Sequence, residues 1–215
     1  MENATKPEAG AGPGTKPAIE LVEQDGEVTL SIGGEQAMQA WERDLMWAGA
    51  DMLCEYGRDF YEVGLGLGLS ALRIATNPAT RSHRVLELFD EVEELFRERH
   101  PELPDTLSIE RGDFFQRIFE LPSQSVDGIF FDPALDMEVW KDEALWRRTM
   151  PEVVRVLRPG GVFIPFFSTK PELRWQYLPH FREIRVVRHP YTAYDTTEYT
   201  HGTSGDAYIQ CFVKS

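Results

Sequence analysis

The chain is predicted to fold as an α/β domain on a mostly parallel sheet, and three observations predict it. Short apolar strands alternate with helical patterns over most of its 215 residues. The stretch Asp59-Phe-Tyr-Glu-Val-Gly-Leu-Gly-Leu-Gly68 runs from a strand of buried character straight into alternating glycines. Finally, Glu62, Glu87, Asp113 and Asp132 each fall at or just after the end of a successive strand. Ligands of such sheets bind at the carboxyl ends of the strands, so acids from distant segments would converge on one rim.

Taken in order, residues 1–17 are rich in Ala, Gly, Pro, Thr and Lys without periodicity and read as a disordered tail. Residues 18–215 then form a single domain. Glu27–Ile32 reads as a short strand or extended arm, and Gly33-Gly34 turns it into a helical pattern from about Gln36 to Cys54. In that helix, near 36–56, Met38, Trp41, Leu45 and Leu53 supply apolar positions, and Glu42 shares a face with Met46 one turn on. Lying outside the parallel core, it is expected to close over the substrate as a lid.

Asp59–Val63 is the first core strand and Leu69–Ala75 a short helix. His83–Phe89 is a strand and Asp90–Arg99 a helix with a solvated charged face. Strands follow at Thr106–Glu110, Val126–Asp132 and Val162–Phe167, with a helix over Ala144–Leu157 that contains Pro151. A helix around Lys170–Leu178, a strand around Ile184–Arg188 and a closing strand Ala207–Val213 complete the pattern.

Composition narrows the partners. Hydrophobic residues make up 42% of the chain, enough for one sizeable core. The 22 Lys+Arg against 36 Asp+Glu give a net charge of −14, with the basic residues scattered. Nucleic acid and anionic membranes are therefore disfavoured, whereas a small cation would be drawn in. The two cysteines, Cys54 and Cys211, read as free thiols of a reducing compartment. With no apolar run of membrane length and no signal pattern, a cytoplasmic location is expected. No His or Cys cluster has metal-ligand spacing.

The glycine corner carries the first chemical inference. Gly64, Gly66 and Gly68 permit positive φ and close approach of a ligand to the backbone. Their G-x-G-x-G spacing, with Glu62 beside the turn, disfavours a pyrophosphate. A cationic or hydroxyl-bearing ligand such as S-adenosylmethionine suits that charge.

These motifs, over residues 59–167, resemble those of class I S-adenosylmethionine-dependent methyltransferases. The resemblance implies a Rossmann-like, mostly parallel seven-stranded sheet flanked by helices, with the N-terminal helical extension added. It places Glu62 and the glycines in the first cofactor motif, Glu87 on the ribose hydroxyls, and Asp113 with Phe114 at the adenine. Arg158-Pro-Gly-Gly161 matches the turn before the fifth strand.

A narrower resemblance lies upstream. Met38-Gln-Ala-Trp41-Glu42-Arg-Asp-Leu-Met46 is similar to the M-x-x-W-E-x-x-x-M segment of guanidinoacetate N-methyltransferases. It implies that Glu42 and Asp132 grip a substrate guanidinium, with Trp41 beside them and Met46 at the cofactor. It also implies that backbone groups near Ser168 and Thr169 hold a carboxylate. The expected partner is a small cationic guanidino substrate, such as guanidinoacetate, arginine or a related metabolite, and a homodimer is left open.

Those acids suit the chemistry. A guanidinium with a pKa of about 13 has no lone pair to offer, and removing its proton beforehand would cost roughly 8 kcal/mol at neutral pH. A carboxylate on the attacking nitrogen lets the proton leave as the new bond forms, a role that falls to Asp132, with Glu42 orienting the group. Two other readings stand beside this one. In the first, the acceptor is a carboxylate, hydroxyl or other amine and Glu42 is structural. In the second, the chain binds S-adenosylmethionine without turnover.

Overall fold

The computed structural model describes residues 16–174 and 176–215. Nearly all of the expected tail lies outside the described residues. Strands β1 (Ile19–Gln24), β2 (Glu27–Ile32) and β3 (Glu35–Gln39) form a small antiparallel sheet. Its two turns, Asp25-Gly26 (φ 52° and 85°) and Gly33-Gly34 (φ 63° and 83°), have the consecutive positive φ values that suit tight hairpins.

The helix predicted from Gln36 therefore begins later. Glu35–Gln39 extends to pair with Thr29–Ile32, a single 3-10 turn follows at Ala40–Glu42, and α1 spans Arg43–Cys54. The spacing of Met38, Trp41 and Leu45 imitates a helix, but the glycine turn commits the segment to a second hairpin arm. β1 was not anticipated from the sequence.

The main sheet has seven strands, ordered β6-β5-β4-β7-β8-β10-β9. They are β4 (Asp59–Val63), β5 (Ser82–Glu87), β6 (Leu107–Arg111), β7 (Val126–Phe131), β8 (Leu157–Pro165), β9 (Glu183–Thr192) and β10 (Ser204–Val213). β4 to β8 run parallel, and β10 is antiparallel to both β8 and β9. The order reverses where β4 meets β7, and a crevice is expected at that switch point.

Helices α2 (Leu69–Ala75), α3 (Asp90–Arg99), α4 (Phe114–Arg117), α5 (Met137–Lys141) and α6 (Glu143–Val156) connect the strands. As strand residues alternate between faces, Tyr61, Phe131 and Phe163 pack with Trp146, Met150 and Val153 of α6. Phe60, Phe130 and Ile164 pack on the other face with Met46, Ala50 and Leu53 of α1. Each such buried apolar side chain stabilises the fold by about 1.5–3 kcal/mol.

At the rim away from the crevice, Arg158 donates to Asp59 (2.9 Å), Asp127 (2.8 Å) and the Ser125 carbonyl (2.7 Å), tying β4, β7 and β8 together. Hydrogen bonding from Arg81 first, and then from Ser82 and Arg158, holds the Asp59 carboxyl down at about 2.

The predicted helix around Lys170–Leu178 is absent among the described residues, where turns lead into a 3-10 turn at Leu178–His180. β10 ties this segment down in its turns. Ser168 and Tyr208 pair through their backbones, and the Gln210 side chain bonds the Glu172 carbonyl (2.9 Å) and the Arg174 amide (3.1 Å). No helix among the described residues is long and apolar enough to cross a membrane.

Candidate functional site

A cleft of about 630 Å³, counting its open mouth, lies over the carboxyl ends of β4, β5, β6 and β7. The glycine corner forms its floor. A Cβ on Gly64 (φ +89°) would sit 2.6 Å from the Asp132 carbonyl, and one on Gly66 (φ +52°) 2.8 Å from Met38 Sδ. Both positions need glycine, and both line the cleft. Gly68 does not line it. Its Cβ would strike the Phe96 ring at 2.1 Å, so it serves the packing of α2 on α3.

The N-terminal sheet covers the cleft with Leu30, Ile32, Ala37 and Met38, and Leu67 N donates to Met38 Sδ at 3.3 Å. Within the upstream motif it is therefore Met38 that reaches the cleft. Met46, expected at the cofactor, is 1% exposed and packs in the core under α1.

Glu87 stands at the cleft edge, where its Oε2 accepts from Leu65 N (2.8 Å) and its Oε1 from Leu88 N (2.7 Å) and Phe89 N (2.9 Å). Burial pushes its pKa up against the pull of those three bonds. Asp113 caps α4 by accepting from Phe115 N at 2.9 Å, and both Asp113 and Phe114 line the cleft.

Glu62 is placed differently from the expectation. Strand alternation turns it away from the cleft, fully buried, where it accepts from Ser70 Oγ of α2. His83 Nε2 lies 2.9 Å from its other oxygen, without the alignment of a hydrogen bond. Glu62 braces the corner from below and adds negative charge near Asp132.

Asp132 follows β7 directly and lines the cleft, half-buried. Its carboxylate makes no hydrogen bond among the described residues. Desolvation first, then repulsion from Glu42 and Glu62, raises its pKa well above the ordinary carboxyl value. Glu42 ends the 3-10 turn at 5% exposure. Its Oε1 accepts from Gln39 N (2.7 Å) and Tyr199 Oη (2.5 Å), whereas Oε2 has no partner among the described residues. Burial pushes the Glu42 carboxyl up to about 7 even though both bonds pull it down.

Aromatic rings enclose this corner. Trp41 stacks on Tyr199 (centroids 6.2 Å apart, 23° between planes) and also meets Tyr191 (5.6 Å) and Phe167 (6.1 Å). Tyr199 escaped the sequence reading. It belongs to a loop after β9 that is strapped onto the β2–β3 hairpin and the 3-10 turn. Gln36 bonds the Thr196 carbonyl (2.8 Å) and the Glu198 amide (2.9 Å), Thr197 bonds Gln39 (2.5 Å), and Thr196 bonds Glu27 (2.7 Å).

Ser168 and Thr169 anchor chain rather than line the cleft. Ser168 pairs with Tyr208, and Thr169 Oγ1 accepts from His201 N at 3.0 Å, fixing the far end of the strap. Among the described residues, no group of three or more His, Cys, Asp or Glu side chains could hold a metal.

The family profile described as guanidinoacetate N-methyltransferase matches residues 16–170. Among solved structures, spermidine synthase from Thermotoga maritima is similar with a TM-score of 0.71 at 13% identity, covering 95% of this chain and 72% of that one. The N-methyltransferase NodS from Bradyrhizobium japonicum WM9 aligns with a TM-score of 0.58 at 15% identity, over 81% of this chain and 96% of that one. A putative O-methyltransferase from Klebsiella pneumoniae gives 0.53 at 15% identity, with 80% of each chain covered. At these identities the likeness is one of fold.

Proposed function

Because the chain belongs to the guanidinoacetate N-methyltransferase family and is an S-adenosylmethionine-dependent methyltransferase, we propose that its acceptor is a small guanidino compound, methylated on nitrogen. One observation carries the proposal. Glu42 and Asp132 present carboxylate oxygens without partners in a corner walled by Trp41, Phe167 and Tyr199, and both pKa values are raised. Two desolvated carboxyls, one of them raised further by the charge of the other, are stabilised by a cation that bonds both. A planar guanidinium offers paired N–H donors and a π-face for the aromatic walls.

The cleft fits the cofactor. Gly64 and Gly66 bring bare backbone to the lining of the cleft, and Glu87 has a buried carboxylate for hydroxyl donors. Asp113 and Phe114, which line the same cleft, would hold the adenine between a polar and an aromatic group. When bound there, S-adenosylmethionine supplies an electrophilic methyl group on a sulfonium.

The chain's own residues do the rest. Glu42 orients the guanidinium, while Tyr199 and the Gln39 amide fix Glu42. Asp132 accepts the proton of the attacking nitrogen as its lone pair engages, which spreads the roughly 8 kcal/mol of prior deprotonation along the bond-forming step. That proton passes from Asp132 to solvent after product leaves. The aromatic walls and the strap keep water from the acceptor, so a neutral ligand would leave two carboxyls poorly stabilised.

The test is turnover with labelled S-adenosylmethionine on guanidinoacetate, arginine, longer guanidino acids, and matched amines and carboxylic acids. Wild type is compared with Glu42→Gln and Asp132→Asn. Methylation confined to guanidino compounds and strongly reduced in both variants is expected. Methylation of amines or acids, or full activity in both variants, would overturn the acceptor assignment.

A further inference from the structure

The carboxylate of Glu42 and the ring of Trp41 form two sides of the acceptor corner, and one residue behind them bonds to both. Gln39 closes β3 and is fully buried. Unlike its neighbour Met38, it does not line the cofactor cleft. Its backbone amide donates to Glu42 Oε1 at 2.7 Å. Its side-chain oxygen accepts twice, from Trp41 Nε1 (2.9 Å) and from Thr197 Oγ1 of the strap (2.5 Å), and its Nε2 donates to Thr29 Oγ1 of β2 (2.9 Å). The partners fix which way this amide points. An indole Nε1 can only donate, so the atom facing Trp41 has to be the oxygen, and the Thr197 hydroxyl then donates to its other lone pair.

We propose that Gln39 is a positioning residue for the acceptor. Through one carbonyl oxygen it fixes the plane of Trp41 and the seat of the strap, and so sets how tightly a guanidinium is held in the corner. The guanidinium itself rests on the reading above. Trp41 otherwise meets Phe167, Tyr191 and Tyr199 ring to ring. Such contacts let an indole tilt, whereas a bond at its one polar atom fixes its edge. Tyr199 lies two positions beyond Thr197, so the bond that seats Thr197 also brings the Tyr199 hydroxyl to Glu42.

Removing the oxygen would orphan two donors at once and loosen both the wall and the strap, while the backbone bond to Glu42 stays. A stacked ring and an oriented carboxylate act on the guanidinium in the bound and the reacting state alike. Their loss therefore weakens acceptor binding more than it slows the chemical step.

The experiment compares wild type with Gln39→Met, which keeps the length of the side chain without its oxygen, and with Thr197→Val and Thr197→Ser. Steady-state kinetics use the guanidino compound that wild type turns over fastest, and calorimetry follows S-adenosylhomocysteine. Proton exchange at the Trp41 indole is followed by NMR, its signal being the one lost in Trp41→Phe. Gln39→Met should raise the acceptor KM about tenfold, as for one buried hydrogen bond, and leave kcat within about twofold. It should leave S-adenosylhomocysteine affinity unchanged and speed the indole exchange at least about tenfold. Thr197→Val should raise KM by less, with the indole proton still protected, and Thr197→Ser should behave as wild type. Because both residues act through one oxygen, Gln39→Met combined with Thr197→Val should be no worse than Gln39→Met alone.

An unchanged KM in Gln39→Met, an accompanying loss of S-adenosylhomocysteine affinity, or additive effects in the double variant would overturn the role of Gln39. So would an indole proton that exchanges at the wild-type rate. If wild type methylates no guanidino compound, the guanidino reading fails, and the indole exchange rate still decides on Gln39. Should Gln39→Met not fold, Thr197→Val and Thr197→Ser decide, and equal KM values in those two refute the role.

Discussion

Replacing Glu42 by Gln should change how stability depends on pH, with a sign opposite to that of an ordinary ion-paired carboxylate. The folded chain holds the Glu42 proton up to about 7, against 4.5 for the free side chain. Between those values the native state binds more protons than the unfolded state, so stability falls as pH rises through the interval. Below 4.5 the penalty is absent, and above 7 it is complete. Its size is about 3 kcal/mol at ~1.36 kcal/mol per pH unit, undiluted by solvent because the residue is 5% exposed.

For a chain of this length, that corresponds to a fall in melting temperature of about 6–12 °C. Thermal denaturation of wild type and Glu42→Gln from pH 4.5 to 8 should give curves that diverge by that amount, with the variant the more stable at the alkaline end. Saturating guanidino acid with S-adenosylhomocysteine should remove the divergence, since a bound cation favours the ionised carboxyl. Parallel pH curves for the two proteins would refute the reasoning.

Three further outcomes follow from the same geometry. Asp132→Asn should lower the single-turnover rate about 10²- to 10⁴-fold, as for loss of a general base, with unchanged calorimetric affinity for S-adenosylhomocysteine. Tyr199→Phe removes a 2.5 Å bond that holds the Glu42 pKa down. The acid limb of its kcat/KM profile should therefore move to higher pH, with about a tenfold loss at neutrality, the worth of one charge-assisted bond. Gly64→Ala forces a Cβ to within 2.6 Å of the Asp132 carbonyl at φ +89°. It should cost at least about 2 kcal/mol, or about 4–8 °C in melting temperature, and weaken cofactor binding measured by calorimetry.

The core strands and the glycine corner were legible because each is a local pattern. Asp59–Val63, Leu69–Ala75 and Asp90–Arg99 have the predicted bounds, and Glu87, Asp113 and Asp132 meet at one cleft as strand-end acids should. What the sequence misled on depends on partners far along the chain. Glu62 looks like a ligand from its place beside the glycines, yet the facing residues are Ser70 and His83, which only the sheet register reveals. Gln36–Gln39 fits a helix until β2 claims its backbone. Tyr199 carries no local signal at all, because its meaning comes from Glu42, 157 positions earlier.

The strap between β9 and β10 has a consequence for how the protein is made. Its bonds join residues 157 to 169 positions apart, among the most distant contacts a chain of 215 residues can form. A ribosome releases Glu42 well ahead of the strap, 157 residues before Tyr199, and the glycine corner soon after Glu42. The cofactor cleft can therefore take shape on a growing chain while the acceptor corner cannot, since such non-local closure is also the slow part of folding. Chains cut short before Tyr199 would carry the cleft's glycines and acids but no hydroxyl on Glu42, so that translation past Tyr199 is a condition for acceptor chemistry.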